Sequence, residues 1–150
     1  MKTLHAITLS VFIKPEEDYE KNKDAFLSFF PFDLEEQKIQ IKQSSAISFE
    51  ERKIIVLEVQ LTKTKHCDDF LISLLGKLFS EQKQMLLRQK ESRLDENCCF
   101  FMRFDKERLL EKKELFITDS GNCFHLKICI ACYPAKREKA FPVIEGFFKT

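Results

Sequence analysis

The sequence predicts an α+β fold, in which an antiparallel sheet of about six strands carries helices packed mainly on one face. Three features lead to this prediction. Several short segments alternate apolar and polar residues, two longer segments show helical spacing, and turn residues join neighbouring strands into hairpins. The 150 residues fit a single domain, residues 1–150, and only three Gly and four Pro leave little room for a flexible linker.

The chain begins with a predicted strand followed by a helix. Residues 4–13, "LHAITLSVFI", are rich in β-branched and apolar residues and stop before Pro15. The segment "PEEDYEKNKDAFLSFF" then predicts a helix that starts at this proline. Its acids Glu16, Glu17 and Asp18 lie in the first turn, where the helix dipole alone accounts for them.

Two alternating segments come next and predict antiparallel neighbours. In "QKIQIKQ" Ile39 and Ile41 share one face. The segment "RKIIVLEVQLTK" alternates more strongly, with a predicted inward face made of Ile55, Leu57, Val59 and Leu61. We expect "SSAISFEE" to connect the two strands.

The second half of the chain repeats this mixture of helices and strands. "CDDFLISLLGKLFSEQKQMLLRQKESRL" predicts a long helical region with a break near Ser80. "CCFFMRF" predicts a strand, "DKERLLEKK" a short helical piece, and "ELFITDSGNCFHLKICIACY" a hairpin with "DSGN" as its turn. A last helix is expected to begin at Pro134, with a break at Pro142.

Charge and composition exclude several protein classes. The net charge is +1 and the pI about 7.6, unlike a strongly basic nucleic-acid binder, although residues 101–150 carry a net +3. No apolar run reaches the ~18 residues of a membrane span. We therefore expect a cytoplasmic protein without membrane contact, in which the six Cys stay reduced.

Two of the cysteines have a spacing that is typical of metal sites, but this spacing is weak evidence on a predicted strand. Cys129 and Cys132 have the Cys-x-x-Cys spacing, yet on a strand they point to opposite faces and do not converge on one ion. The alternative is a metal site on the other predicted face, built from Cys98, Cys99, Cys123, His125 and Cys129. Because free Cys is most often a buried apolar residue, we expect no metal and no cofactor.

Nothing in the sequence predicts catalysis. The three His lie in different predicted elements, and the three Gly are isolated, so no glycine-rich phosphate loop is available. No Ser occupies a strained Gly-x-Ser-x-Gly turn. We expect a protein that is not an enzyme.

The basic residues near the C-terminus carry the clearest functional signal. Cations in the first turn of a helix oppose its dipole, so a basic helix start is typical of a site that holds phosphate. Solvated surface charge without a ligand is the alternative. The predicted RNA contacts are Arg103, Lys106, Lys127, Lys136, Arg137 and Lys139.

These residues lie in two motifs that resemble an archaeal family of RNA-binding, exosome-associated proteins. The motifs are "RFDK" at residues 103–106 and "YPAKREKA" at residues 133–140, after the hairpin. His5 and the acidic "PEED" are similar more loosely, whereas "SFEERKIIV" lacks the glycine-rich turn of the family. The resemblance implies RNA binding without catalysis, and the fold of the ribosomal protein that binds 5S ribosomal RNA.

The sequence therefore predicts a non-catalytic RNA-binding accessory protein, associated with RNA processing or the exosome. Because few exposed aromatic residues are expected, binding would depend mainly on charge and RNA shape. The alternative is a protein-interaction or dimerisation module without nucleic-acid binding, which would act as a homodimer or a subunit of a complex.

Overall fold

The structure, a computed structural model, describes residues 3–48 and 50–149. Within these residues the chain forms a five-stranded antiparallel sheet and six helices, which confirms the α+β class. The strands are β1 Leu4–Ile13, β2 Lys42–Ile47, β3 Lys53–Leu61, β4 Cys99–Asp105 and β5 Cys123–Ile130. The helices are α1 Tyr19–Leu27, α2 Thr64–Lys77, α3 Ser80–Arg88, α4 Lys90–Arg93, α5 Lys106–Lys112 and α6 Arg137–Phe148. The strand order is β2-β3-β1-β5-β4.

The described residues group into two compact units. Unit 1 draws on residues 3–7, 61–102 and 127–149, and unit 2 on residues 8–48, 50–60 and 103–126. In unit 1 the rings of Phe100 and Phe148 lie 5.6 Å apart. In unit 2 the ring of Phe29 lies 5.5 Å from Phe104 and 5.4 Å from Phe124. Each unit thus has a Phe-rich core, as the composition indicates.

The predicted second strand is displaced along the chain. We expected it around Ile39 and Ile41, but β2 comprises Lys42–Ile47, which belonged partly to the predicted connection. Lys38 has a left-handed φ of 59°, and the N–H of Ile39 donates to the carbonyl of Leu34 at 2.8 Å, so this part of the chain turns. The antiparallel pairing with β3 is confirmed. Phe49, in the predicted connection, lies outside the described residues.

The helix boundaries follow capping groups more closely than proline positions. Helix α1 begins at Tyr19 rather than Pro15, because a carboxylate oxygen of Asp18 accepts the N–H of Lys21 at 3.1 Å and caps the helix. The break near Ser80 is confirmed. Its cap is Phe79, whose N–H donates to the side-chain oxygen of Gln82 at 2.8 Å.

The C-terminal third differs from the prediction in two places. The first strand of the expected hairpin is reduced to one isolated bridge, between Phe104 and Ile117, so the sheet has five strands among the described residues. Helix α6 begins at Arg137 and continues through Pro142. A proline inside a helix removes one backbone donor, and here it does not end the helix.

None of the helices described in residues 3–48 and 50–149 is long and apolar enough to cross a membrane.

Candidate nucleic-acid interface

Arg103 is an exposed cation on strand β4. Its neighbours Met102 and Phe104 point inward and are buried, so alternation places Arg103 on the opposite, outer face. Its guanidinium donates to the carbonyl of Asp119 at 3.3 Å, and its own carbonyl accepts the N–H of Thr118 at 2.8 Å. The side chain is therefore both oriented and open to solvent.

Lys106, three residues later, is in very different surroundings. Only 1% of it is exposed. Its ammonium donates to both carboxylate oxygens of Glu17 at 3.1 Å and to the carbonyl of Phe12 at 2.6 Å. Burial lowers the pKa of Lys106, and Glu17 opposes this by stabilising the charged form. The ammonium of Lys106 is thus buried and hydrogen-bonded within the protein, whereas "RFDK" predicts an exposed contact to phosphate.

The acidic run before α1 is not explained by the helix dipole alone, which corrects that interpretation. Asp18 caps α1 through a hydrogen bond, and Glu16 pairs with Arg52. Glu17 binds the ammonium of Lys106 and accepts a hydrogen bond from the Asn122 amide at 3.0 Å. Although burial raises the pKa of Glu17, the Lys14 N–H, Asn122 and Lys106 together hold it below its usual value.

An aromatic pair lies on the outer face of unit 2. Phe12 on β1 is 49% exposed, and its ring centre is 5.7 Å from that of His125 on β5, with an interplanar angle of 46°. Burial, with smaller contributions from the charges of Arg103 and Lys106, lowers the pKa of His125. The imidazole is therefore neutral near pH 7.

A cation stacked on an aromatic ring follows at the edge of β4. The guanidinium of Arg108 lies 4.1 Å from the ring centre of Phe116, within the range of a cation–π contact. The carbonyl of Phe116 accepts the N–H of Asp105 at 2.8 Å, which fixes this ring beside the strand. Unit 2 thus presents exposed aromatic rings together with arginines.

Unit 1 holds the remaining predicted contacts. Lys127 is exposed on β5, and Lys136 and Lys139 are exposed at the start of α6. Arg137 is half-buried, donates to the carbonyl of Glu91, and has its guanidinium 5.3 Å from the ring centre of Phe141. Three of these four cations are therefore open to a ligand, and the fourth anchors α6.

The sequence interpretation missed the exposed aromatic residues. Phe12 shares a strand face with Thr8 and Ser10, both of which are half-buried on β1. That alternation was available in "ITLSVFI" and indicates a phenylalanine on the polar side of the strand. Tyr133, in the "YPAKREKA" segment, is 99% exposed.

Two of the cysteines are paired across β4 and β5, while Cys98 precedes β4 and Cys132 follows β5. The prediction that all six stay reduced is wrong for Cys99 and Cys129, which form a disulfide. Their Cα atoms lie 4.0 Å apart because they are directly opposite each other in neighbouring antiparallel strands. Cys98 and Cys132 remain thiols, and burial, followed by the neighbouring Cys132, raises the pKa of Cys98.

The alternative metal set is not assembled. Cys99 and Cys129 are bonded to each other, while the Cys123 sulfur lies 3.7 Å from Nε2 of His125. Among residues 3–48 and 50–149, no group of three or more His, Cys, Asp or Glu side chains is arranged to hold a metal ion.

Comparison with known proteins gives one consistent family. A family model described as RNA binding matches residues 6–130, so the match ends before the "YPAKREKA" segment. An RNA-binding protein of Pyrococcus abyssi is 25% identical over 145 residues, covering 97% of this chain and 94% of the relative.

Two solved structures share the fold over almost their whole length. A DUF54 protein of Archaeoglobus fulgidus has a TM-score of 0.83 and 29% identity, and covers 96% of this chain and 99% of the other. A DUF54 protein of Methanothermobacter thermautotrophicus has a TM-score of 0.78 and 26% identity, and the match covers 98% of this chain and 99% of the other. Because the matched model spans most of the chain, this protein belongs to the RNA-binding family.

Proposed function

We propose that this chain binds RNA as a non-catalytic accessory protein, and that residues 1–150 act as a single domain. The observation that carries the proposal is the exposure of four of the six predicted cations: Arg103, Lys127, Lys136 and Lys139. Phosphate contacts supply most of the non-specific affinity of nucleic-acid binders, and exposed Lys and Arg side chains are what such contacts require. The family and the Pyrococcus abyssi relative support the same function.

The other two predicted cations have a supporting role in this proposal. Lys106 is committed to Glu17, and Arg137 is held by the carbonyl of Glu91 and the ring of Phe141. We assign Lys106 to holding the end of β4 in place, next to Arg103. Arg137 holds the start of α6, next to Lys136 and Lys139.

RNA affinity measured against salt tests this proposal. With a fluorescently labelled RNA, the logarithm of the observed association constant should fall with the logarithm of the salt concentration, with a slope of about −0.7 for each single-strand phosphate neutralised. The variants Arg103→Ala and Lys136→Ala/Lys139→Ala should weaken binding and flatten this slope. Lys42→Ala removes an exposed lysine from β2 and serves as the matched control. No RNA binding at low salt, or equal binding by all four proteins, would overturn the proposal.

Association with RNA-processing machinery such as the exosome is the finer part of the proposal. If it is correct, tagged protein should retain exosome subunits after nuclease treatment, identified by mass spectrometry. If these subunits are lost on nuclease treatment, the association depends on RNA bound by both partners and not on direct protein contact.

A second candidate function is dimerisation or protein interaction without RNA. The favouring observation is that β2 is at the edge of the sheet, with all six side chains exposed, including 77% of Ile47. Open edge strands can pair with another chain. Light scattering at high salt distinguishes the two functions, since a salt-independent dimer without RNA affinity fits only this alternative.

A further inference from the structure

We propose that the bound RNA is single-stranded, with an unpaired base stacked on Phe12 beside His125 and its phosphate held by Arg103. This inference rests on the proposed RNA binding, but it depends on different atoms. Phosphate contacts position an RNA, whereas contacts to bases distinguish paired from unpaired strands.

The ring of Phe12 is available to a base. Half of this residue is exposed on a strand face whose other members, Thr8 and Ser10, are small and polar. The 46° angle between the two rings means that His125 supports Phe12 without covering it in a parallel stack. An exposed phenylalanine held by a neighbouring ring is the kind of platform on which nucleic-acid bases stack.

The charges around this platform match a nucleotide. Arg103 lies opposite His125 in the antiparallel pairing of β4 with β5. That register follows from two backbone hydrogen bonds that flank the two residues, from Lys106 N–H to the carbonyl of Asn122 at 3.1 Å and from Ile130 N–H to the carbonyl of Cys98 at 2.9 Å. The guanidinium of Arg103 is oriented by the carbonyl of Asp119. A cation next to an exposed ring can bind the phosphate of the nucleotide whose base stacks on that ring. Because the positive charge of Lys106 is balanced by Glu17, Arg103 supplies this contact.

Base stacking on Phe12 selects unpaired RNA. In a duplex each base is already stacked between its neighbours, and the deep, narrow major groove of A-form RNA keeps side chains from the base edges. Phe116, which is 42% exposed and carries the guanidinium of Arg108 on its ring, adds a cation–aromatic pair in the same unit for a single strand. In this proposal, base stacking is added to the binding by charge and RNA shape that the sequence predicts.

A fluorescence experiment tests the stacking directly. The chain contains no Trp, so Phe12→Trp introduces a single indole at the proposed platform. We expect a single-stranded decamer to quench this indole on binding, and a duplex of the same sequence to leave it unchanged. Phe79→Trp is the matched control, because Phe79 is an exposed phenylalanine (67%) outside this cluster.

Affinity measurements complete the test. Phe12→Ala should weaken single-strand binding about 5- to 150-fold, the range expected for losing one stacked base, without changing the salt slope. Phe12→Tyr should keep most of the affinity, and Phe79→Ala all of it. Circular dichroism of each variant checks that it is folded.

The outcomes separate the two proposals. If no RNA binds at low salt, the proposed function itself fails. If single-stranded RNA binds but Phe12→Ala has no effect and the Phe12→Trp indole is not quenched, only the stacking inference fails. Tighter binding to the duplex than to the single strand also overturns the stacking inference.

Discussion

Arg103 and Lys106 lie three residues apart in one basic motif, but Arg103 is exposed and Lys106 is buried. Arg103 is exposed, and its guanidinium donates to a backbone carbonyl. Lys106 is 1% exposed and makes three contacts to oxygen atoms. An exposed cation costs little and can bind a ligand, whereas a buried cation must be neutralised within the protein.

The difference arises where β4 becomes α5. Alternation along β4 puts Arg103 on the outer face, but at Asp105 the strand ends and this residue caps α5 by accepting the N–H of Arg108 at 2.9 Å. Lys106 is the first residue of the helix, so strand alternation no longer decides where its side chain points. Similar charges in one motif therefore serve different purposes.

The largest expected effect comes from breaking the buried ion pair. Lys106→Met should lower the free energy of unfolding by about 3–5 kcal/mol, because it leaves the carboxylate of Glu17 without its cation. Arg103→Met, the matched control, should change it by no more than about 0.5 kcal/mol. Denaturant unfolding followed by circular dichroism measures both.

A second variant separates pairing from packing. Lys106→Met/Glu17→Gln removes both charges and should recover part of the loss, since the cost lies in an unpaired buried charge. A double variant no more stable than the single one would mean that Lys106 acts through packing alone. If residues 1–150 are a single domain, each variant should show one unfolding transition for the whole chain.

The disulfide gives the next largest effect and sharpens the contrast between buried and exposed groups. Cys99 and Cys129 close a loop with a sequence separation of 30, so Cys99→Ser should destabilise the protein by about 3–4 kcal/mol in oxidising buffer. In reducing buffer the difference in the free energy of unfolding between wild type and Cys99→Ser should decrease. Cys132→Ser, which keeps the disulfide, should have a smaller effect, and equal losses in both variants would argue against the bond.

The sequence predicted those features that depend on local pattern. Strand β3, the break between α2 and α3, and strand β4 all follow from patterns within a few residues. The ion pair between Lys106 and Glu17 could not be predicted from such a pattern, because Glu17 is 89 residues away in the sequence. The disulfide was missed for the same reason, since it depends on the register between β4 and β5 rather than on the spacing within either strand.

The second strand shows that a local pattern can also mislead. The alternation around Ile39 and Ile41 is as regular as that of a short strand, but a left-handed residue at Lys38 turns the chain there. The paired residues are the exposed "KQSSAI", whose polarity gives no inward face for sequence analysis to detect. Edge strands of this kind are recognised only through their partner.

Acid should weaken the buried pair in a defined range of pH. The pKa of Glu17 is held below its ordinary value of 4.5 in the folded chain, so its contribution is fully present above that value and is lost as the pH falls through the lowered pKa. Wild type should have a higher free energy of unfolding than Glu17→Gln at pH 7, and this difference should decrease as the pH is lowered to about 2. A difference between the two proteins that does not depend on pH would mean that the charge of Glu17 contributes nothing.

The smallest effect on stability should accompany a clear effect on binding, at Arg103. Arg103→Ala removes an exposed side chain, so the free energy of unfolding should change by no more than about 0.5 kcal/mol. In RNA binding the same variant should reduce the magnitude of the salt slope by about 0.7, the contribution of one single-strand phosphate. Arg103→Lys keeps the charge and should restore most of the slope. A large loss of stability in Arg103→Ala would instead make Arg103 a structural residue like Lys106, and the contrast between the two cations would no longer hold.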